Sequence, residues 1–318
     1  METERYSIEL ERTIFNWYYS GKDASPLPIF NAIHAGLAND MDLIVPIEDP
    51  DFGTHLDNPK VGYTFKMDNP VHIKIRHLPT EESGKYFIPL FTSMEQVEKG
   101  GITSTINQPL SSLIKGLEKW PDCNGFVINP WDRQLMLSRQ TLSEVLNYRP
   151  KSRILLVRGS VVDMHVGAIV NAANESLLGG GGVDGAIHIA AGPELLKECR
   201  TLGGCRTGEA KITGSYNITH ADHIIHTVGP IYSGKDSDDQ ALSDCYRNSL
   251  DLALANGCTS IAFPGISTGV YGFPLDRAAK VSLLTVVQWL DDHKDAVMNI
   301  YLCCFRDSEL KAYRDLTR

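Results

Sequence analysis

The stretch AIVNAANESLLGGGGVDGAIHIAAGPELLKEC, residues 168–199, runs from a short apolar segment through four consecutive glycines (179–182) into residues with helical spacing. Glycine loses more backbone freedom on folding than any other residue, so four together need a reason. A glycine loop that opens a helix points its amides outward, and the helix dipole adds roughly half a positive charge there. Phosphate is the usual anion for such a site. A second glycine-containing loop, PGISTGVYGFP (264–274), follows the strand-like SIAF and precedes a helix starting near Leu275. Two such loops at strand ends can clamp a diphosphate from both sides. A flexible turn would not need four glycines in a row.

Working outward, the chain beyond residue 151 alternates apolar strands with helices. RILLV, AIVNAA, HIIHTVG, SIAFPGI and NIYLCCF read as strands; VDGAIHIAAGPELLKEC, LSDCYRNSLDLALAN and LDRAAKVSLLTVVQWL read as helices. Fully apolar short strands between helices predict a sheet covered on both faces, an α/β layer sandwich. Ligands of such folds bind outside the carboxyl ends of the strands. Residues 1–148 read instead as a smaller α+β domain. SIELERTIFNWYY and LSSLIKGLEKW are helical, GKYFIPLF and NGFVINP are strands, and KVGYTFKMDNPVHIKIRHL is a hairpin turning at Asp68-Asn69-Pro70. Capping boxes are expected from Ser93 to Gln96, opening a short helix closed by Gly100 and Gly101, and from Thr141 to Glu144. The segment NYRPKSR, around Pro150, reads as the linker, with the second domain at 152–318.

Composition narrows the function. Residues 1–150 hold 14 basic and 20 acidic side chains, net −6, and residues 151–318 hold 16 and 19, net −3, together the −9 of the whole chain. Neither half offers a basic face, which argues against duplex nucleic acid as a partner. No apolar run approaches the roughly 18 residues of a membrane span, and METERYSIELER lacks a signal-peptide core. Seven cysteines without a C-x-x-C pair predict reduced thiols in a cytoplasm, with neither a disulfide framework nor a zinc site. No metal or cofactor is expected.

Two nucleotide motifs are near misses. Gly180-x-Gly182-x-x-Gly185 matches the dinucleotide fingerprint, but Asn174 to Leu178 intervene after the strand, too many for its tight turn. Gly229 to Lys235 imitates a P-loop, yet Asp236 stands where magnesium needs a hydroxyl.

GSVVDMHVGAIVNAANESLLGGGGVDGAIHIAAGPELLKEC, CRTGEAKITGSYNI, HIIHTVGPIY and PGISTGVYGFP together resemble a macrodomain of the MacroD type, from about residue 153 onward. The resemblance implies a three-layer fold with a mixed sheet between helices, and a cleft for ADP-ribose. It further implies removal of mono-ADP-ribose from acidic side chains of modified proteins. Asn174 matches the asparagine that orients the distal ribose, although alone it reads equally as a strand-end turn cap. Asp184 matches the aspartate that positions the attacking water; a helix N-cap is a compatible second reading. His188, one helical turn on, could order Asp184 or the ribose, or simply form an i,i+4 pair. Gly180, Gly181, Gly182 and Val183 would line the diphosphate and distal ribose, with Ser267, Thr268, Gly269 and Val270 on the phosphates and Tyr271 against the distal ribose. Ser160, Val161 and Phe305 would face adenine, a buried core position being the other reading of Phe305. Where the family carries GDIT, with its aspartate accepting from the adenine amino group, this chain has GSVV. A hydroxyl at Ser160 should weaken that contact by about 1 kcal/mol.

The leaving group sets which bond such a site could cut. A carboxylate at a helix start is a weak base and makes little hydroxide at neutral pH. An ester of ribose C1″ with a carboxylate releases a group whose parent pKa is about 4, so no general acid is required. Glutamyl and aspartyl ADP-ribose esters are therefore the expected substrates, with O-acetyl-ADP-ribose a second. An ADP-ribose reader and a 1″-phosphatase are the competing readings. Cys199, Cys205 and Cys258 read as packing residues, and His220, His223 and His226 as turn and strand residues. In the first domain, YFIPLFTSMEQVEKG and LEKWPDCNGFVINPWDRQLMLSRQTL resemble the bacterial enhanced-serine-sensitivity (SseB) family. That resemblance implies no catalytic role; selection or recruitment of the modified protein is the expectation there.

Overall fold

A computed structural model describes residues 2–21, 24–48, 74–148 and 151–316. The chain separates into two units, Met1–Tyr18 with Ser25–Arg149, and Tyr19–Ala24 with Pro150–Arg318.

The first unit contains α1 (Glu2–Ser20), α2 (Leu27–Ala38), β1 (Asp42–Pro46), β2 (Leu78–Pro79), β3 (Tyr86–Leu90), α3 (Met94–Lys99), β4 (Thr105–Pro109), α4 (Leu110–Gly116), β5 (Cys123–Ile128), β6 (Leu135–Ser138) and α5 (Arg139–Asn147). β1 pairs with β4, and a second sheet runs β2-β3-β5-β6. Leu10, Ile14, Ile33, Leu43, Leu90 and Phe126 form the core between sheets and helices. Both expected capping boxes are replaced. Ser93 sits at the N-cap of α3 but makes no capping bond, and Gln96, the other half of the expected box, reaches to Glu11 and Asp132 instead. In α5 the cap is Ser138, whose hydroxyl accepts from the Thr141 amide at 3.1 Å; Thr141 lies inside the helix. The hairpin turn at Asp68-Asn69-Pro70 and the linker residue Pro150 lie outside the described residues.

The second unit contains β7 (Arg153–Arg158), a 3-10 turn at Val161–Asp163, β8 (Val166–Ala173), α6 (Gly182–Ala191), α7 (Pro193–Thr201), β9 (Ala210–Gly214), β10 (Ala221–Val228), α8 (Asp236–Ala255), β11 (Ser260–Phe263), α9 (Leu275–Asp292), β12 (Asn299–Cys304) and α10 (Asp307–Leu316). The six strands form one mixed sheet in the order β7-β12-β11-β8-β10-β9. β9 is antiparallel to β10, and the other pairings are parallel. Strand side chains alternate between faces, and here both faces are apolar. Val170, Ile225, Ile261, Phe263, Ile300 and Leu302 pack with Leu242, Leu250, Val286 and Trp289 of α8 and α9. Ile169, Ile224, Ala262 and Tyr301 pack with Ile187, Leu195 and Cys199 of α6 and α7. Each large aliphatic side chain buried this way contributes about 1.5–3 kcal/mol, so a strand polar on either face would not hold its place. The helical run at 182–201 is two helices: Gly192 adopts φ +81° and Pro193 opens α7, a break the ring enforces because it has no amide to donate.

All seven cysteines are free and buried, and burial pushes the Cys199 and Cys245 thiols up to about 11. Among the described residues no helix is long and apolar enough to cross a membrane, and no cluster of ligating side chains could hold a metal ion.

Candidate active site

β8 and β11 are neighbours, yet the chain leaves β8 toward β10 and β9 and leaves β11 toward β12. Loops therefore diverge above this pair, the kind of crevice where open α/β sheets bind ligands. A cavity of about 740 Å³ opens there, walled by residues just past the carboxyl ends of β7, β8, β10, β11 and β12. That volume suits a dinucleotide-sized molecule.

The four glycines do different work. Gly182 begins α6 with φ +63°, a conformation that penalises a Cβ. Gly181 is the N-cap and Gly182 the first helical residue, and a Cβ on either would meet nothing within 4 Å. Their surface belongs to the cavity wall. Gly181 at the N-cap has no side chain to cap α6, which leaves its leading amides and dipole to an anion. A Cβ on Gly180 would lie 2.9 Å from Asp184 Oδ2 and 3.2 Å from Asn174 Nδ2. What approaches Gly180 so closely is the protein's own carboxylate.

Asp184 lines the cavity but is only 3% exposed. It is the third residue of α6 and not its cap, which corrects the N-cap reading. Asn171 Nδ2 donates to its Oδ1 at 2.7 Å. Oδ2 has no hydrogen-bond partner among the described residues. His188 Nε2 stands 3.4 Å from Oδ1 without hydrogen-bond geometry, and His188 is not on the cavity wall. It backs the carboxylate as an i,i+4 neighbour. Asn174 does line the cavity, and the turn-cap reading also holds: its Oδ1 accepts from the Ser176 amide at 3.0 Å and from the Ser176 hydroxyl, while Nδ2 donates to Gly179 O at 2.9 Å. One N–H remains for a ligand, and the acceptor side is taken.

The second loop runs from β11 to α9 and places Ser267, Thr268, Gly269, Val270 and Tyr271 on the opposite wall. Ser267 adopts φ +63° and is 7% exposed, with no partner for Oγ among the described residues. A Cβ on Gly229 would lie 2.1 Å from that oxygen, so Gly229 leaves it room. Thr268 turns inward, its hydroxyl donating to Gly265 O at 3.1 Å. Val270 is fully exposed. Tyr232 N donates to Tyr271 O at 2.9 Å, tying this loop to the one after β10.

At the far end stand Ser160, Val161 and Phe305. Phe305 is 67% exposed, which rules out the core reading. Ser160 Oγ accepts from Val162 N at 3.3 Å, leaving its hydrogen to donate. Arg306 and Glu309 complete this end and were not legible beforehand. Glu309 accepts from the amides of Phe305 and Arg306 and from the Arg306 guanidinium. Arg306 also reaches Thr268 O at 3.4 Å, bracing the second loop. Asn171 was missed too; the available signal was a polar residue inside an otherwise apolar strand.

The P-loop imitation is filled by its own chain. Asp238 accepts from the amides of Ser233 and Lys235 and from the Ser233 hydroxyl, and those amides hold its carboxyl below the usual range. His220 Nε2 donates to Val162 O at 2.7 Å, and its ring stacks on His165.

A family model described as Macro domain matches residues 170–282. The macro domain-containing protein CT2219 of Chlorobaculum tepidum is 52% identical over 159 residues, which are 50% of this chain and 91% of that protein. Bovine ADP-ribose glycohydrolase MACROD1 is 53% identical over 165 residues, 51% of this chain and 50% of that protein. The chain thus spans about half the length of that glycohydrolase. Among solved structures, a Trypanosoma brucei macrodomain in complex with ADP-ribose is 46% identical, covering 52% of this chain and 69% of that one, with a TM-score of 0.48.

Proposed function

The chain belongs to the macro domain family, and from this premise we propose that its C-terminal half is a hydrolase that releases ADP-ribose from aspartate and glutamate side chains of modified proteins. The observation that carries the proposal is the state of Asp184: one carboxylate oxygen pinned by Asn171, the other unpartnered, in a residue that is buried yet on the cavity wall. A module that only binds has no use for a carboxylate held that way.

In this reading the pyrophosphate lies between the bare start of α6 and the Ser267–Tyr271 loop, with the adenine beside Phe305. The anomeric carbon of the distal ribose then faces Asp184, which orients a water by accepting its proton's hydrogen bond from the cavity side. The C1″–O bond breaks with oxocarbenium character and the departing carboxylate needs no proton; the water bonds to C1″ and releases its own proton to solvent. Among the described residues no strong proton donor stands beside Asp184 on the cavity wall, and Glu309 is held by Arg306 and two amides at the other end. That supports carboxylate esters over serine- or arginine-linked forms. O-acetyl-ADP-ribose, also a ribose ester, is a second substrate on the same chemistry. The first unit selects or recruits the modified protein, and the buried free thiols fit a reducing cytoplasm.

The test is turnover of glutamate-linked ADP-ribosyl protein by the wild type and by Asp184→Ala, with calorimetry of ADP-ribose binding alongside. Binding by both with hydrolysis by the wild type alone is expected. Binding without any wild-type turnover would make this a reader, and rapid release from serine-linked peptide would refute the leaving-group argument.

A further inference from the structure

Behind Asp184 lies a buried histidine that the reaction does not use. His226, on β10, has no exposed surface, and desolvation, helped by the neighbouring His188, lowers its pKa to about 3. The ring is therefore neutral at working pH. Its Nδ1 lies 3.1 Å from Asn171 Nδ2, and its Nε2 lies 3.0 Å from Thr213 Oγ1 on β9.

The proton positions follow from who can donate. An ionised Asp184 only accepts, so Asn171 must present its amide nitrogen to Oδ1. That nitrogen has hydrogens and no lone pair to offer, so His226 Nδ1 must carry the lone pair and Nε2 the proton. The Nε2 proton goes to Thr213 Oγ1, whose own hydrogen is taken by Gly214 O at 3.1 Å or Ile224 O at 3.4 Å. Cys199 Sγ, at 3.8 Å from Nε2, is a weak alternative partner. A reversed Asn171 amide would set its carbonyl oxygen against both the carboxylate and the Nδ1 lone pair.

We propose that Thr213 and His226 are positioning residues for the hydrolysis: they lock the Asn171 amide so that it holds Asp184 Oδ1 and fixes the carboxylate at the cavity wall, with Oδ2 left unpartnered. The inference rests on the hydrolase reading above. It predicts a loss in kcat without a matching loss in ligand affinity, since neither residue lines the cavity.

Two matched pairs test it on the full chain, with kcat on glutamate-linked ADP-ribosyl protein and calorimetric Kd for ADP-ribose. In His226→Asn the shorter carboxamide can offer its oxygen near the Nδ1 position and keep an acceptor for Asn171. In His226→Gln the carboxamide reaches toward Thr213 and that acceptor is lost. We expect kcat within about threefold of wild type for the first and roughly tenfold or more below it for the second, with Kd within about twofold for both. Thr213→Ser, which keeps the hydroxyl, should retain kcat, and Thr213→Val should lose about fivefold. Equal losses in the two His226 variants, or wild-type kcat in Thr213→Val, overturn the inference while leaving the hydrolase intact. If the His226 variants do not fold, the Thr213 pair decides alone. A wild type that binds ADP-ribose without turnover sinks both readings.

Discussion

The two ends of the cavity are built on opposite plans. At one end Asp184 is 3% exposed and its hydrogen-bond partner Asn171 is itself held by His226, while Asn174 is held by its own turn. At the other, Phe305 is 67% exposed and Ser160 is a hydroxyl with a hydrogen to spare. A buried, braced end suits chemistry, where small misplacements of a catalytic group are expensive. An open, stacking end suits anchorage, where contact area counts for more than angle. On the proposed function, recognition and reaction are separated along one groove.

The sharpest way to break the comparison is Gly180→Ala. Its new Cβ would sit 2.9 Å from Asp184 Oδ2, so turnover should fall by roughly a hundredfold while ADP-ribose affinity changes only a few-fold. Steady-state kinetics with calorimetry checks this, and an equal loss in both quantities would contradict a plan that separates the ends. At the anchoring end, Phe305→Ala should show the reverse. Loss of one stacked aromatic weakens binding by about 1–3 kcal/mol, with kcat nearly unchanged at saturation.

Bracing at the reacting end also has a pH signature. His226 titrates at about 3 in the folded protein, against an ordinary value of 6.5. Below 6.5 the unfolded chain takes up a proton that the folded one refuses, so this contribution is complete above pH 6.5 and shrinks as pH falls toward 3. Between pH 6.5 and 5 the loss should reach about 2 kcal/mol. Denaturant unfolding at pH 7 and 5 should show a dependence that is correspondingly smaller in His226→Gln. The smallest effect belongs to Ser160→Asp, which supplies an acceptor for an exocyclic amine and should tighten ADP-ribose binding by about 1 kcal/mol.

Much of this was legible in the chain. The strand ending at Ala173, the helix opening near Gly182 and the second loop at 264–274 follow from apolar runs and glycines, and they bring almost the whole cavity wall together. What was not legible is what tertiary contacts decide. Ser93 matches a capping pattern, but its partner Gln96 finds Glu11 and Asp132, residues far away in the chain. Thr141 matches too, yet Ser138 ends β6 and so takes the cap. Asn171 reads as an impurity in an apolar strand until Asp184 and His226 are placed on either side of it. β9 and α2, with the short β1 and β4, leave little trace in the sequence because their apolar periodicity is weak and pairing or packing sustains them.

The loop before α8 has a consequence for how a charged molecule finds its seat. Asp238 bends back and occupies the amides of Ser233 and Lys235, so a cradle that could rival the start of α6 is plugged from within. On the proposed function, an incoming pyrophosphate would thus meet no decoy there. Freeing those amides by Asp238→Ala would create a competing berth a few residues from Gly229, and misdocked ligand would be its symptom.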